Sequence, residues 1–404
     1  MKRNNILIYL ATAFLALGQS FSRGNFPSYV EVLGGTIVNY GFIQSIQTFS
    51  NLLFLFPAAL LSDKLGHKRL VLSGTVIYAL SYFIIAFTPP PHWEYLLLGG
   101  FGIGLGQGMI MPSQVAILAH NNPTDRINVF TRNETMRWGT LALGYFLSSF
   151  FFILFENKFS YENLQLTIVV TLLVVTAAII PSFLLVNAEE WRNNVESQPK
   201  ANIKMMLSSP EGTYIIGFLG FSLIVGFGAG FLVPFAQPYF VKRFSLGPSE
   251  INIIMGTAQI LTALFMGSIP FLSFRLGSNA RVIYLTQGTS IPLILILAYS
   301  TNLPLSIFAF LFRIVLMNMS TPAQTTIVQE YVPEAFRARI QSLMRITDRL
   351  GRSFSPSISA IMIEETNDFY LSFTFTAILY STAVSTLFLI TRNLKRKLTV
   401  KTNF

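Results

Sequence analysis

The sequence predicts an all-α membrane protein: twelve transmembrane helices in two pseudo-symmetric six-helix bundles, with both termini cytoplasmic. Three observations predict it. Of 404 residues, 52% are hydrophobic and 38 are Phe, while 28 Lys and Arg with 18 Asp and Glu are too few to cover a water-soluble chain of this size. Apolar runs of ~20 residues, each long enough to cross a bilayer as a helix, recur about twelve times. Finally, shifting the chain by 211 residues lays Lys64, Leu65 and Gly66 on Arg275, Leu276 and Gly277, Pro27 on Pro238, and Arg126 on Arg337. One offset that serves three separated places marks a repeat of six helices.

The spans fall at about 6–24, 38–61, 70–88, 93–119, 129–155, 165–187, 212–240, 250–273, 281–299, 303–329, 339–362 and 370–391. Residues 1–187 form the first bundle, 188–210 a polar cytoplasmic linker, and 211–404 the second bundle with its basic tail. Span 1 has no small-residue cleavage site behind it and is read as a retained helix. Span 2 sets Gln44, Gln47 and Asn51 at i, i+3 and i+7, on one helical face. Such residues line a cavity or act as interhelical glue worth about 1 kcal/mol each.

Between spans 2 and 3 stands "LLSDKLGHKRL", residues 60–70. A cytoplasmic turn accounts for Lys64, Lys68 and Arg69, but for neither Asp63 nor Gly66. Asp63 closes span 2, Gly66 lets the chain reverse, and the bases open span 3. This order resembles the signature loop of the major facilitator superfamily, Gly-x-x-x-Asp-Arg-x-Gly-Arg-Arg/Lys-Arg/Lys, with Ala59 for its first Gly and His67 for an Arg. The resemblance implies a secondary transporter with a substrate site between its halves near the bilayer midplane. It also implies gating roles for Asp63, Gly66, Lys68 and Arg69, with Asp63 latching onto the start of span 11 near Arg337, Arg339 and Arg345. A carboxylate is favoured at a helix N-terminus. A loop that merely fixes topology is the plainer alternative.

Span 4 carries "GGFGIGLGQG" at 99–108, whose glycines read as close helix packing. It also holds Gln107 and Gln114. The superfamily often places an Arg shortly before this Gln-Gly; here Gly104 stands there. Proton-coupled drug exporters of the family carry Gly-Pro-x-x-Gly-Gly in span 5, where this chain has Gly144-Tyr145. Both gaps weigh against a drug exporter.

Charge inside a membrane is costly and faces an aqueous path or a partner. Span 5 holds Arg132, Glu134 and Arg137. Span 11 holds Arg345, Asp348, Arg349 and Arg352 on one helical face, and span 10 holds Arg313. At the same offset Glu134 falls on Arg345 and Arg137 on Asp348, so each helix is expected to carry an i,i+3 ion pair with reversed signs. Arg137 and Arg345 would take part in gating, and Glu134 and Asp348 are candidates for ion coupling because Arg does not release a proton at physiological pH. One acid cannot neutralise three Arg. At ~1.5 Å per residue, Arg313 and Arg352 lie near mid-depth, where guanidinium groups suit an anionic or strongly hydrogen-bonding substrate. A bundle-internal Arg satisfied by carbonyls and Asp348 is the competing reading. Arg349, Gln44, Gln107, Gln259 in span 8 and Asn318 in span 10 complete the candidate substrate-binding set.

With the N-terminus inside, 18 Lys and Arg fall in cytoplasmic segments against four outside, Arg23, Lys158, Lys242 and Arg243. That bias sets the topology and explains most of the net charge of +10. Anionic lipid heads are a sufficient partner for the basic tail, and nucleic acid is not required. The chain has no Cys and three scattered His, so no metal or thiol chemistry is expected. No phosphate-binding Gly-x-x-x-x-Gly-Lys-Ser/Thr, zinc-protease motif or paired catalytic acids point to an enzyme or an ATP-driven pump, and no cofactor is expected. The reading is a monomeric, multi-pass transporter of the cell membrane that moves a small anionic or polar organic solute, with proton coupling and facilitated diffusion both open. A proton-coupled exporter of hydrophobic compounds is the alternative. A transporter-like receptor or scaffold is the alternative of another class.

Overall fold

The computed structural model of the chain describes residues 2–122, 126–185, 212–332 and 334–402. The linker at 188–210 lies outside them, as do the side chains of Asp63, Lys64, Arg126, Arg337 and Arg339. The described backbone is helical almost throughout. The first six spans are α1 (Lys2–Arg23) with α2 (Phe26–Val32), α3 (Ile37–Leu65), α4 (His67–Ala86), α5 (Tyr95–Asn121), α6 (Arg126–Leu154), and α7 (Tyr161–Ala177) with α8 (Ile179–Leu184). The next three are α9 (Gly212–Leu232) with α10 (Ala236–Phe244), α11 (Pro248–Met266) with α12 (Ile269–Leu276), and α13 (Asn279–Tyr299). The last three are α14 (Leu303–Met319) with α15 (Thr321–Tyr331), α16 (Glu334–Thr366) and α17 (Tyr370–Thr402). Among the described residues ten segments are long and apolar enough to cross a membrane. Helices α3 and α16, of 29 and 33 residues, complete the twelve.

Local chemistry sets the boundaries. Ser160 caps α7 by accepting from the Asn163 amide at 3.2 Å, and Asn302 caps α14 by accepting from the Leu305 amide at 3.0 Å. Gly66 separates α3 from α4 with φ 85° and ψ 145°. Its repeat mate Gly277 closes α12 with φ 67° and ψ 14°. The first and seventh spans break at matching places. Gly24 and Asn25 part α1 from α2, and a 3-10 turn at Val233–Phe235 parts α9 from α10. Pro27, and Pro234 with Pro238, bring no backbone donor to these turns. The carbonyl of Phe231, next to the second break, accepts instead from the hydroxyls of Ser359 and Ser372 at 2.8 and 3.1 Å. A carbonyl at an interrupted helix needs such a partner in a water-poor interior.

The chain packs as two compact units. The first holds α1–α8 together with Pro234–Ile260, and the second holds α9 and everything from Leu261 onward. In the first, α5 is gripped from two sides by glycine faces. A Cβ on Gly104 would meet the Gln47 carbonyl of α3 at 1.9 Å, and one on Gly108 the Asn51 carbonyl at 2.9 Å. A Cβ on Gly106 would meet the Gly74 carbonyl of α4 at 2.7 Å. In the second unit α9 and α16 approach as closely. A Cβ on Gly226 would lie 2.2 Å from the Asp348 carbonyl, and one on Gly351 2.6 Å from the Leu223 carbonyl. The charged turn of α16 is thus pressed, backbone to backbone, against α9.

Candidate functional site

Three charged residues of the second unit, Arg313, Arg352 and Asp348, lie at or near Tyr380 of α17. Arg313 of α14 is 2% exposed, and its Nη2 donates to the Tyr380 hydroxyl at 2.8 Å. Its guanidinium also stands 5.6 Å from the centre of the Tyr380 ring, close enough for a cation–π contact. The Arg313 Nε is buried with no hydrogen-bond partner, and among the described residues Arg313 forms no ion pair. On α16, Arg352 Nε donates to Asp348 Oδ2 at 3.0 Å, within electrostatic reach of the same tyrosine. Tyr380 is itself 1% exposed and packs against Gly228 of α9. It bonds one of the expected substrate residues, Arg313, and stands near a second, Arg352; the sequence reading did not single it out. A lone tyrosine in an apolar span gives no warning of this role.

Asp348 departs from the expected pairing. It meets Arg352, four residues on, and not Arg345, which is exposed and joins no ion pair among the described residues. Helical side chains lean toward the N-terminus, so an Arg reaches back to an acid that precedes it. On α6, Arg137 likewise reaches back: its Nε and Nη2 donate to Glu134 Oε2 at 3.0 and 2.7 Å. The reversed signs expected at the repeat offset therefore do not give reversed pairs. In both helices the acid comes first. The Arg137 guanidinium also lies 5.0 Å from the Trp138 ring. Arg349 is half-buried.

The uncharged candidates are spread over both units. Gln107 Nε2 donates to the Tyr78 hydroxyl at 3.5 Å, and Asn51 Nδ2 to the Gly104 carbonyl at 3.4 Å. Gln114 accepts from Thr12 at 3.3 Å. Gln44, Gln259 and Asn318 are half-buried. At the loop, Lys68 Nζ lies 5.7 Å from the Phe183 ring and Arg69 is exposed.

A separate polar layer joins α2 and α6 to α10 and α11 inside the first unit. Ser148 accepts from Asn25 at 3.3 Å and from Asn252 at 3.2 Å. Gln237 donates to Ser28 at 2.9 Å. At its margin Asn157 donates to Glu250 and accepts from the Ser249 amide.

Twelve helical spans with charged residues set within them are the build of a membrane carrier, and comparison with known proteins agrees. The family model of the Major Facilitator Superfamily matches residues 8–356 and again 218–402. The chain belongs to that superfamily, and it is a multi-pass membrane transporter. The nucleoside transporter NupG aligns over 96% of this chain and 98% of its own, with 15% identity and a TM-score of 0.78. A D-xylose–proton symporter aligns over 96% of each chain at 14% identity, with a TM-score of 0.76. At such identity these neighbours speak to the fold alone. The quinolone resistance protein NorA of Staphylococcus aureus is 24% identical over 124 residues, a stretch that spans 31% of this chain and 31% of the relative.

Proposed function

We propose that this transporter moves a small organic anion across the cell membrane by alternating access, coupled to protons, with both termini in the cytoplasm. The observation that carries the reading is Arg313: a guanidinium sealed inside a membrane protein with its Nε unpartnered and no ion pair among the described residues. An uncompensated charge in such a place is costly, and an anion that reaches it in another state of the cycle offsets that cost. Arg352 is held by Asp348 until the substrate competes for it. Gln44, Gln107, Gln259, Asn318 and Arg349 complete the path. Glu134 carries the proton, because it has a single Arg partner and is nearly half exposed, at 46%. Asp63, with Gly66, Lys68 and Arg69, latches the cytoplasmic side.

Flux of labelled organic anions into proteoliposomes tests this. Arg313→Gln should weaken substrate binding by ~1.5–3 kcal/mol, the worth of a charge-assisted hydrogen bond, with little change in thermal stability. Glu134→Gln should abolish accumulation driven by a pH gradient and spare exchange. Wild-type flux indifferent to the gradient would sink proton coupling, and no flux at all would favour a receptor or scaffold. The stretch similar to NorA favours a second reading, export of a hydrophobic compound. In that case cationic and neutral dyes, and not anions, would be the transported species.

A further inference from the structure

A guanidinium and four phenols converge where the first span breaks. Helix α1 ends at Arg23, and the chain turns through Gly24 and Asn25 into α2. The break puts Arg23 nine residues before the end of α2, about 14 Å along the span at the rise of a helix. It is therefore an interior residue of the first span, not a charge in an external loop as the sequence suggested.

Three helices present tyrosines to this turn. Tyr145 of α6 has its ring 3.4 Å from where a side chain on Gly24 would begin. Tyr82 of α4 lies beside Ser22, the residue before Arg23. Tyr78, one turn before it, has its ring centre 5.3 Å from that of Tyr82 and accepts the amide of Gln107 from α5. Tyr40 of α3 stands 6.3 Å from Phe26, ring to ring. Arg23 is within electrostatic reach of all four phenols.

The contrast in burial is informative. Tyr40, Tyr78, Tyr82 and Tyr145 are 6%, 2%, 5% and 5% exposed, yet Arg23 in their midst is exposed. A guanidinium in mid-span turned toward lipid is costly, so exposure beside sealed tyrosines marks a polar recess. Among the described residues Arg23 forms no ion pair, and no carboxylate joins the ring. Its five N–H donors are available, in the fork that matches a carboxylate. The tyrosines add hydroxyl groups and flat apolar faces, and aromatic pairs are worth more than their area alone.

We infer that Arg23, with Tyr40, Tyr78, Tyr82, Tyr145 and Gln107, forms a binding site for an aromatic carboxylate. The guanidinium pairs with the carboxylate, and Tyr78 and Tyr82, neighbours on α4, lie along one side of the ring. The inference rests on the anion-transport reading and names its substrate class.

Calorimetric titration of the purified full chain in detergent tests it, with benzoate, benzamide and acetate as probes. Benzoate binds; benzamide, which lacks the charge, and acetate, which lacks the ring, bind at least tenfold more weakly. Arg23→Gln lowers benzoate affinity at least tenfold and leaves both the benzamide response and the melting temperature unchanged, a pattern that a structural arginine does not give. If that variant does not fold, Arg23→Lys keeps the charge and loses the fork, and benzoate alone weakens by threefold or more. Wild-type protein that does not distinguish the three probes overturns the site. So does benzoate affinity that survives in Arg23→Gln and is lost in Arg313→Gln, an outcome that leaves the transport reading standing. Benzoate binding lost in Arg23→Gln, together with no benzoate flux in wild-type proteoliposomes, upholds the site and overturns the transport reading instead.

Discussion

Gly66 and Gly277 are repeat mates with different obligations. At φ 85° and ψ 145° Gly66 occupies a region that is essentially closed to L side chains. Gly277, at φ 67° and ψ 14°, sits in the left-handed helical region that Asn tolerates. Neither has an atom within 4 Å of where a Cβ would stand, so the difference is one of backbone alone. Gly66→Asn should therefore cost ~1–3 kcal/mol, and Gly277→Asn well under ~1 kcal/mol; thermal unfolding in detergent reads both. The sequence placed these glycines at turns but could not tell them apart, because the distinction lies in ψ. The same limit applies to Asp348. Spacing allowed a partner at 345 or at 352, and the lean of helical side chains decided for Arg352. Arg23 is placed outside by the sequence for a different reason: the turn at Gly24 and Asn25 looks like the end of span 1, which the structure continues through α2.

Helix α5 shows what periodicity conveys well. The run at 99–108 predicted close packing, and the structure turns Gly100, Gly104 and Gly108 to α3 and Gly99, Gly102 and Gly106 to α4. Gly104→Ala would drive a methyl group to 1.9 Å from the Gln47 carbonyl and 2.0 Å from Ser50 Oγ. Backbone cannot rotate aside, so α3 must shift, at a cost of ~1–3 kcal/mol or more. Gly139→Ala on α6 meets nothing within 4 Å and should be neutral or stabilising by up to ~1 kcal/mol through helix propensity. Equal melting temperatures for the two variants would refute the clasp. The break between α9 and α10 was less legible. The seventh span reads as one run over 212–240, and the serines that satisfy Phe231 come from α16 and α17, more than a hundred residues away.

At the scale of the molecule, composition and hydropathy were enough for the twelve spans, and the loop at 60–70 was enough for the superfamily. Which polar residues meet was not legible, since contacts among α14, α16 and α17 depend on helix rotation that no spacing encodes. Orientation is the property left to measure, and a chain without Cys suits the measurement. Lys158→Cys should react with a membrane-impermeant maleimide in intact cells, and Ser278→Cys only after permeabilisation. The opposite pattern would invert the topology drawn from the basic residues.

The polar layer of Asn25, Ser28, Ser148, Gln237 and Asn252 is built wholly from amides and hydroxyls. Ionic strength therefore acts unevenly along this molecule. Raising salt from 0.1 M to 1 M shrinks the Debye length from about 10 Å to about 3 Å, which weakens the partly exposed Asp348–Arg352 and Glu134–Arg137 pairs. The same change leaves the amide layer untouched, because it has no net charge to screen. Salt is in effect a selective reagent here, loosening the ionic turns of α6 and α16 while α2 and α6 stay fastened to α10 and α11.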